Sequence, residues 1–170
     1  MNNGLIKNSL IFLITFGILI FPLAPVNFYP MEISSPDLLF CFLYSLSIQN
    51  PKKRNLFLII FSTLLADFLW MRAIGLWTLL TFISIEISRK FLFQKKIQSF
   101  FFEIANFSFC ITLMFILKNV ILFLTLSKTT TLQLGITYLL STIIVYPFIS
   151  IFVKIFKNKN RSIIKNKFYE

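Results

Sequence analysis

The sequence predicts an all-α, polytopic integral membrane protein with about six transmembrane helices in a small compact bundle. Hydrophobic residues make up 57% of the chain and charged residues only 14%, whereas soluble domains are about 25% charged. Apolar runs recur along nearly the whole length, and mean hydropathy is +0.82. Because lipid cannot satisfy backbone polar groups, such runs fold as helices. The 170 residues therefore predict one transmembrane domain over residues 1–155 and a basic cytoplasmic tail over 156–170.

Six apolar runs define the expected spans. They cover residues 5–23, 37–48, 56–71, 76–88, 100–126 and 132–153. The first has Lys7 near its start and is interpreted as a retained span ended by Pro22 and Pro25, with a cleaved signal peptide as the alternative. The second has roughly 12 residues and reaches about 18 Å, short of a ~30 Å hydrocarbon core. Either its helix begins near Glu32, or it is a short element packed against its neighbours. The sixth run is interrupted at Tyr146-Pro147.

The distribution of Lys and Arg predicts the orientation. With the N-terminus inside, all but three of the 17 basic residues fall on the inner side; the exceptions are Arg72, Lys118 and Lys128. This bias predicts an N-in, C-in, multi-pass membrane protein. The residues expected to set topology and meet lipid headgroups include Lys52, Lys53, Arg54, Lys95, Lys96, Lys157, Lys159 and Arg161.

Basic loops this close to membrane spans favour anionic lipids as partners over nucleic acid. The tail is expected to lie along the inner leaflet, and docking to a cytoplasmic protein is the alternative. Lys118 lies inside the fifth run, where it either snorkels to the surface or serves as a buried counter-ion.

Cofactor chemistry has little support in the sequence. The chain has no His and only two Cys, which removes Ser–His and Cys–His nucleophile pairs and His-based proton relays. Cys41 and Cys110 lie in apolar runs without metal-ligand spacing, so packing is expected of both. We expect no metal, no cofactor and no enzymatic activity.

Ionisable residues inside the runs form two groups. Asp37, Asp67 and Arg72 fall toward the outer ends of their spans, whereas Glu86 and Glu103 fall toward the inner ends. Charges within a membrane are costly and usually have partners. Three interpretations stay open, namely structural ion pairs, a polar surface for a partner protein, and a paired-aspartate membrane peptidase.

The ion-pair interpretation joins Asp37 or Asp67 to Arg72, and it joins Glu86 and Glu103 to basic residues at 89–95. Asp37 follows Pro36 and is also expected to cap a helix N-terminus. Trp70 and Trp77 are expected to anchor at headgroup depth.

The order of these features resembles that in the MreD family of rod-shape-determining bacterial membrane proteins, and it is most similar to alphaproteobacterial members. The matching pieces are Pro36-Asp37-Leu38-Leu39, Asn50-Pro51 before a basic pair, Leu65-Ala66-Asp67-Phe68-Leu69, Arg72, Gly75-Leu76-Trp77, Ser84-Ile85-Glu86, Arg89, Glu103 and Thr142 to Tyr146-Pro147. Lys118 matches no feature of the family.

The resemblance implies a non-enzymatic, multi-pass scaffold in the bacterial inner membrane. As part of the cell-elongation complex, it would help to maintain cell shape and guide lateral peptidoglycan synthesis. Its implied partners are an MreC-like protein and, through the complex, MreB, RodA and its penicillin-binding transpeptidase. The implied fold is similar to substrate-binding components of vitamin transporters, which leaves such a subunit as the alternative function. The predicted partner-binding or structural polar cluster consists of Asp37, Asp67, Arg72, Gly75, Trp77, Glu86, Arg89 and Glu103.

Overall fold

The computed structural model describes residues 3–20, 22, 36–49, 56–71, 73–95, 99–126 and 132–166. Side-chain surroundings are described for 9–20, 22, 36–49, 56–71, 73–91, 99–125 and 135–156. Each of the six regular elements in this part of the chain is an α-helix. They are α1 (Asn3–Ile20), α2 (Leu38–Gln49), α3 (Leu56–Leu69), α4 (Leu76–Lys95), α5 (Phe100–Leu126) and α6 (Leu132–Asn166). The all-α prediction is confirmed.

Helix boundaries resolve one alternative and correct two predictions. Pro36 and Asp37 are not helical, so the second apolar run is a short helix packed against its neighbours. Helix α4 continues to Lys95, although the fourth span was expected to end at residue 88, so Arg89 and Lys90 are helical. Helix α6 continues through Pro147 to Asn166, and the predicted interruption is wrong. Proline removes only one backbone donor, and helices surrounded by other helices tolerate that loss.

Helix α2 lies at the centre of the bundle. It packs against α1, α4 and α6, while α3·α4, α4·α5 and α5·α6 contacts join its neighbours to one another. Every residue from Leu39 to Ser45 is buried. Because a helix surrounded in this way must be apolar on all sides, the second run shows no amphipathic pattern.

The outer surface of the bundle is apolar. Phe57, Phe101 and Leu124 are 78%, 83% and 76% exposed. The interior, in contrast, includes polar side chains from every described helix. The buried polar residues are Thr15, Asp37, Ser45, Ser62, Thr63, Asp67, Thr78, Thr81, Ser84, Ser88, Arg89, Glu103, Thr142 and Ser150. Soluble domains keep large exposed apolar patches small, so this arrangement indicates an apolar environment.

Two helical stretches of the described chain are long and apolar enough to span a membrane. They are Phe100–Thr125 and Gly135–Phe156. In each of them, only 22% of an apolar 18-residue section is buried inside the bundle. The apolar helices Ser9–Ile20, Leu38–Gln49 and Leu56–Leu69 are shorter. Membrane association is therefore indicated by α5 and α6, and six spans stay a prediction.

Aromatic rings fill the centre of the bundle between α2, α5 and α6. Phe107 stacks on Tyr146 with ring centroids 3.8 Å apart, and Tyr44 meets both rings edge-on. Phe40 stacks against Phe107 from the other side. All four rings are at least 99% buried, so they fix the spacing of the three helices.

We predict that Phe107→Ala destabilises the folded protein by about 3–5 kcal/mol, the usual cost of deleting a buried aromatic ring. Phe109, on the same helix, is 65% exposed, and Phe109→Ala is the matched control. Thermal unfolding of both variants in detergent measures the difference. An equal loss in the two variants would contradict the aromatic core.

Candidate functional site

Two buried carboxylates converge on the first turn of α4. Asp67 lies near the end of α3 and is 0% exposed, and Asp37 precedes α2 and is 3% exposed. We call the group around them the two-carboxylate cluster. Its members are Asp37, Asp67, Gly75, Trp77, Thr78, Lys118, Tyr138 and Thr142. The cluster therefore draws residues from α2 to α6 to one end of the bundle.

Asp67 caps α4 from the neighbouring helix. Its Oδ2 accepts the backbone N–H of Gly75 at 3.0 Å, the backbone N–H of Thr78 at 3.3 Å and the Thr78 hydroxyl at 3.0 Å. The first N–H groups of a helix have no partner within it, and they favour a negative charge. Gly75 has a φ of +84°, which suits glycine and turns the chain sharply into α4. The carboxylate therefore holds the α3–α4 turn closed.

Asp37 has two functions. Its Oδ1 accepts the backbone N–H of Phe40 at 2.9 Å, so the predicted cap of α2 is confirmed. Its Oδ2 accepts the Trp77 indole N–H at 3.0 Å and the Tyr138 hydroxyl at 3.1 Å. The Asp37 backbone N–H also donates to the Thr142 hydroxyl at 3.3 Å. One residue thus connects α2 to both α4 and α6.

Trp77 is a core residue rather than a headgroup anchor. Its side chain is only 4% exposed, so the expectation of anchoring is wrong for this residue. The indole N–H supplies a hydrogen bond that the buried Asp37 carboxylate needs, which explains why an amphipathic ring lies inside. Trp70 is half-buried and donates to the carbonyl oxygen of Leu19 at 3.3 Å.

Lys118 belongs to this end of the bundle. Its Nζ lies 5.7 Å from the centroid of the Trp77 ring, within the range of a cation–π contact. The same ring donates its N–H to Asp37. Lys118 is half-buried, and both expectations for it, snorkelling and a counter-ion role, stay predictions.

A second polar cluster lies where α5 begins. The Oε1 atom of Glu103 accepts the hydroxyls of Tyr146 at 2.8 Å and Ser150 at 2.7 Å, and Oε2 pairs with Lys154 at 2.7 Å. Lys154 also lies 4.6 Å from the Phe100 ring centroid. Glu103 therefore binds α6 through Lys154, a partner that the sequence did not predict. The predicted pairing with basic residues at 89–95 includes Lys95, whose side chain lies outside the described surroundings.

The remaining predicted residues separate into three sets. Glu86 and Arg89 form an i,i+3 ion pair at 3.1 Å within α4, as the ion-pair interpretation expects. Arg72, Lys52, Lys53, Arg54 and Lys96 lie outside the described residues. Lys95, Lys157, Lys159 and Arg161 lie on described helices, without described side-chain surroundings.

Sequence reasoning missed the polar stripe of α6, defined as Tyr138, Thr142, Tyr146, Ser150 and Lys154. These residues repeat every four positions, so each neighbours the next and together they form a line that winds slowly around the helix. The first two contact Asp37 and the last three contact Glu103. The regular spacing of hydroxyl groups in an apolar run was the available signal.

The cysteines have packing roles. Cys41 and Cys110 are free and buried, which confirms the expectation for both. The Cys110 Sγ lies 2.8 Å from the Ser88 hydroxyl and joins α5 to α4. Among the residues that the structure describes, no group of three or more His, Cys, Asp or Glu side chains could hold a metal ion.

The geometry of the two carboxylates suits structural support better than proton transfer. Asp37 and Asp67 bind separate sets of donors, mainly backbone N–H groups and an indole that cannot leave its helix. A paired-aspartate peptidase needs two carboxylates that act together on one water. Both carboxylates instead join helix ends to neighbouring helices.

Comparisons with protein-family models, with curated proteins and with solved structures find no match to this chain. The interpretation of the two clusters therefore rests on their geometry.

Asp67→Leu is predicted to destabilise the protein by about 3 kcal/mol or more, because it leaves buried N–H groups of α4 without an acceptor. Asp67→Asn keeps an amide oxygen that can accept from the same donors, so it should cost clearly less. Chemical unfolding in detergent measures the free energy of unfolding of both variants and so ranks their stabilities. Equal stability of Asp67→Leu and the unaltered protein would refute the cross-helix cap.

Proposed function

We propose that the protein is a non-enzymatic membrane scaffold of the bacterial cell-elongation complex, of the MreD type. In this proposal six helices cross the inner membrane with both termini inside. The chain binds an MreC-like protein and connects, through the complex, to MreB, RodA and its penicillin-binding transpeptidase. It thereby helps to maintain cell shape and to guide lateral peptidoglycan synthesis.

The observation that carries the proposal is the use of both buried carboxylates as fixed structural acceptors. Asp67 binds the start of α4, and Asp37 binds Trp77 and Tyr138. In lipid, apolar contact between helices gains little, so packing and polar contacts determine how helices associate. A bundle made rigid in this way suits a protein that presents a surface to another membrane helix.

The α3–α4 turn supplies such a surface. Phe68, Met71 and Ile74 are 69%, 95% and 71% exposed, and they surround the turn that Asp67 holds from inside. Buried Asp67 and exposed Phe68 are adjacent in sequence, so the position of the apolar side chain depends on the carboxylate. We assign the partner's membrane helix to these three residues, with Asp67 as the positioning residue.

Copurification from membranes tests this assignment. We expect Phe68→Ala/Ile74→Ala to reduce recovery of an MreC-like protein about tenfold, the effect of losing central interface side chains. The control is Phe101→Ala, since Phe101 is 83% exposed and lies at the start of α5. Asp67→Asn and Arg72→Ala should give intermediate losses.

Undiminished recovery in all of these variants would remove the turn from the interface. Two further results would favour other functions. A vitamin retained by the purified protein would favour a transporter subunit. Loss of lipoprotein processing in Asp37→Asn/Asp67→Asn cells would favour a peptidase.

A further inference from the structure

The polar stripe of α6 continues beyond the last apolar residues of the helix. After Lys154, the next positions on the same face are Lys157, Arg161 and Lys165, three, seven and eleven residues later. At 100° per residue these four positions fall within about 80° of one another around the helix axis. The structure describes α6 as helical to Asn166. The helix therefore carries a basic stripe, defined as Lys157, Arg161 and Lys165.

Lys154, which precedes the basic stripe, shows that this face of α6 binds a carboxylate. Lys154 pairs with the Glu103 carboxylate at 2.7 Å, and the stripe residues above it contact Glu103 or Asp37. The described part of the chain has four acidic residues, and each has a partner of its own. Asp37 accepts from Phe40, Asp67 accepts from Gly75, Glu86 pairs with Arg89, and Glu103 pairs with Lys154. The described acidic residues are thus engaged away from the basic stripe.

The length of the helix determines which anion fits. In the proposed membrane orientation, on which this inference rests, Lys154 is the first charged residue after the apolar stretch. At 1.5 Å per residue, Arg161 and Lys165 lie about 10 and 16 Å farther along the axis. The headgroup layer is only about 5–8 Å thick on each side. With α6 along the membrane normal, the backbone at Lys157 lies within this layer, whereas the backbone at Arg161 and Lys165 lies beyond it.

We propose that the basic stripe of α6 is a docking surface for an acidic helix of a cytoplasmic partner protein. Positions 157, 161 and 165 are separated by about 6 Å along the axis. A partner helix with carboxylates at i, i+4 and i+8 repeats at the same distance and can pair with each position. The proposal assigns these three positions to a partner protein, whereas the whole tail was expected to lie along the inner leaflet.

A two-by-two binding experiment tests the stripe. The full chain is placed in nanodiscs of zwitterionic lipid, and a labelled helical peptide with Glu at i, i+4 and i+8 is titrated by fluorescence anisotropy. A peptide of the same composition with scattered Glu is the second probe. The matched protein variant is Asn160→Arg/Arg161→Asn/Lys165→Asn/Asn166→Lys, which keeps composition and net charge but distributes the basic positions around the helix.

We expect the unaltered chain to bind the striped peptide at least tenfold more tightly than any of the other three combinations. Equal binding by the rearranged variant would overturn the proposal, because charge alone would then explain attraction. Loss of peptide binding on adding 30% anionic lipid would also overturn it in favour of the leaflet. Circular dichroism and gel filtration confirm that the variant is folded. Copurification of an MreC-like protein tests the proposed function separately, because the variants used for it leave the basic stripe unchanged.

Discussion

The first turn of α4 imposes the constraint on which this bundle depends. Its N–H groups need acceptors, and α4 begins inside a bundle whose surface is apolar. Asp67 satisfies two of these groups from α3, and Asp37 binds the Trp77 side chain from the start of α2. Once Asp67 has bound the start of α4 and Asp37 has bound Trp77, the positions of α2, α3 and α4 at that end are fixed relative to one another. The carboxylates therefore act as connectors between helices.

The polar stripe of α6 extends this connection along the bundle. Tyr138 and Thr142 meet Asp37, and eight residues after Thr142 the Ser150 hydroxyl meets Glu103. The apolar section between the two clusters holds the stacked rings of Phe107 and Tyr146. Hydrogen bonds thus set the register of α6 at two levels, and ring packing sets its distance from α5. Both are needed where burial of apolar surface alone gives little preference.

The sequence was sufficient to predict the helical segments but not most of the contacts between the helices. Apolar runs bounded by Pro36 and by polar turns predicted the helical segments, because helix formation in an apolar chain follows local composition. Asp37 was correctly expected to cap α2, since that bond is local. Lys154 was not predicted as a partner of Glu103 because it is 51 residues away, and only the packing of α5 on α6 brings the two together.

Trp77 and Pro147 show two other limits of sequence reasoning. A tryptophan near a span end usually lies at the interface, but the buried carboxylate of Asp37 draws this ring inward. Pro147 suggested an interruption, yet neighbouring helices support α6 on both sides of it. The i+4 spacing from Tyr138 to Lys154 was visible in the sequence, and it would have predicted the inward face of α6.

A double-mutant cycle on Asp37 and Trp77 tests the central claim most directly. The free energy of unfolding in detergent is measured for Asp37→Asn, Trp77→Phe, the double variant and the unaltered chain. Hydrogen bonds to charged groups contribute about 1.5–3 kcal/mol, so the account predicts a coupling energy of at least about 1 kcal/mol. Additive losses with no coupling would show that the two side chains act independently, and would contradict the role of Asp37 as the connector of α2 and α4.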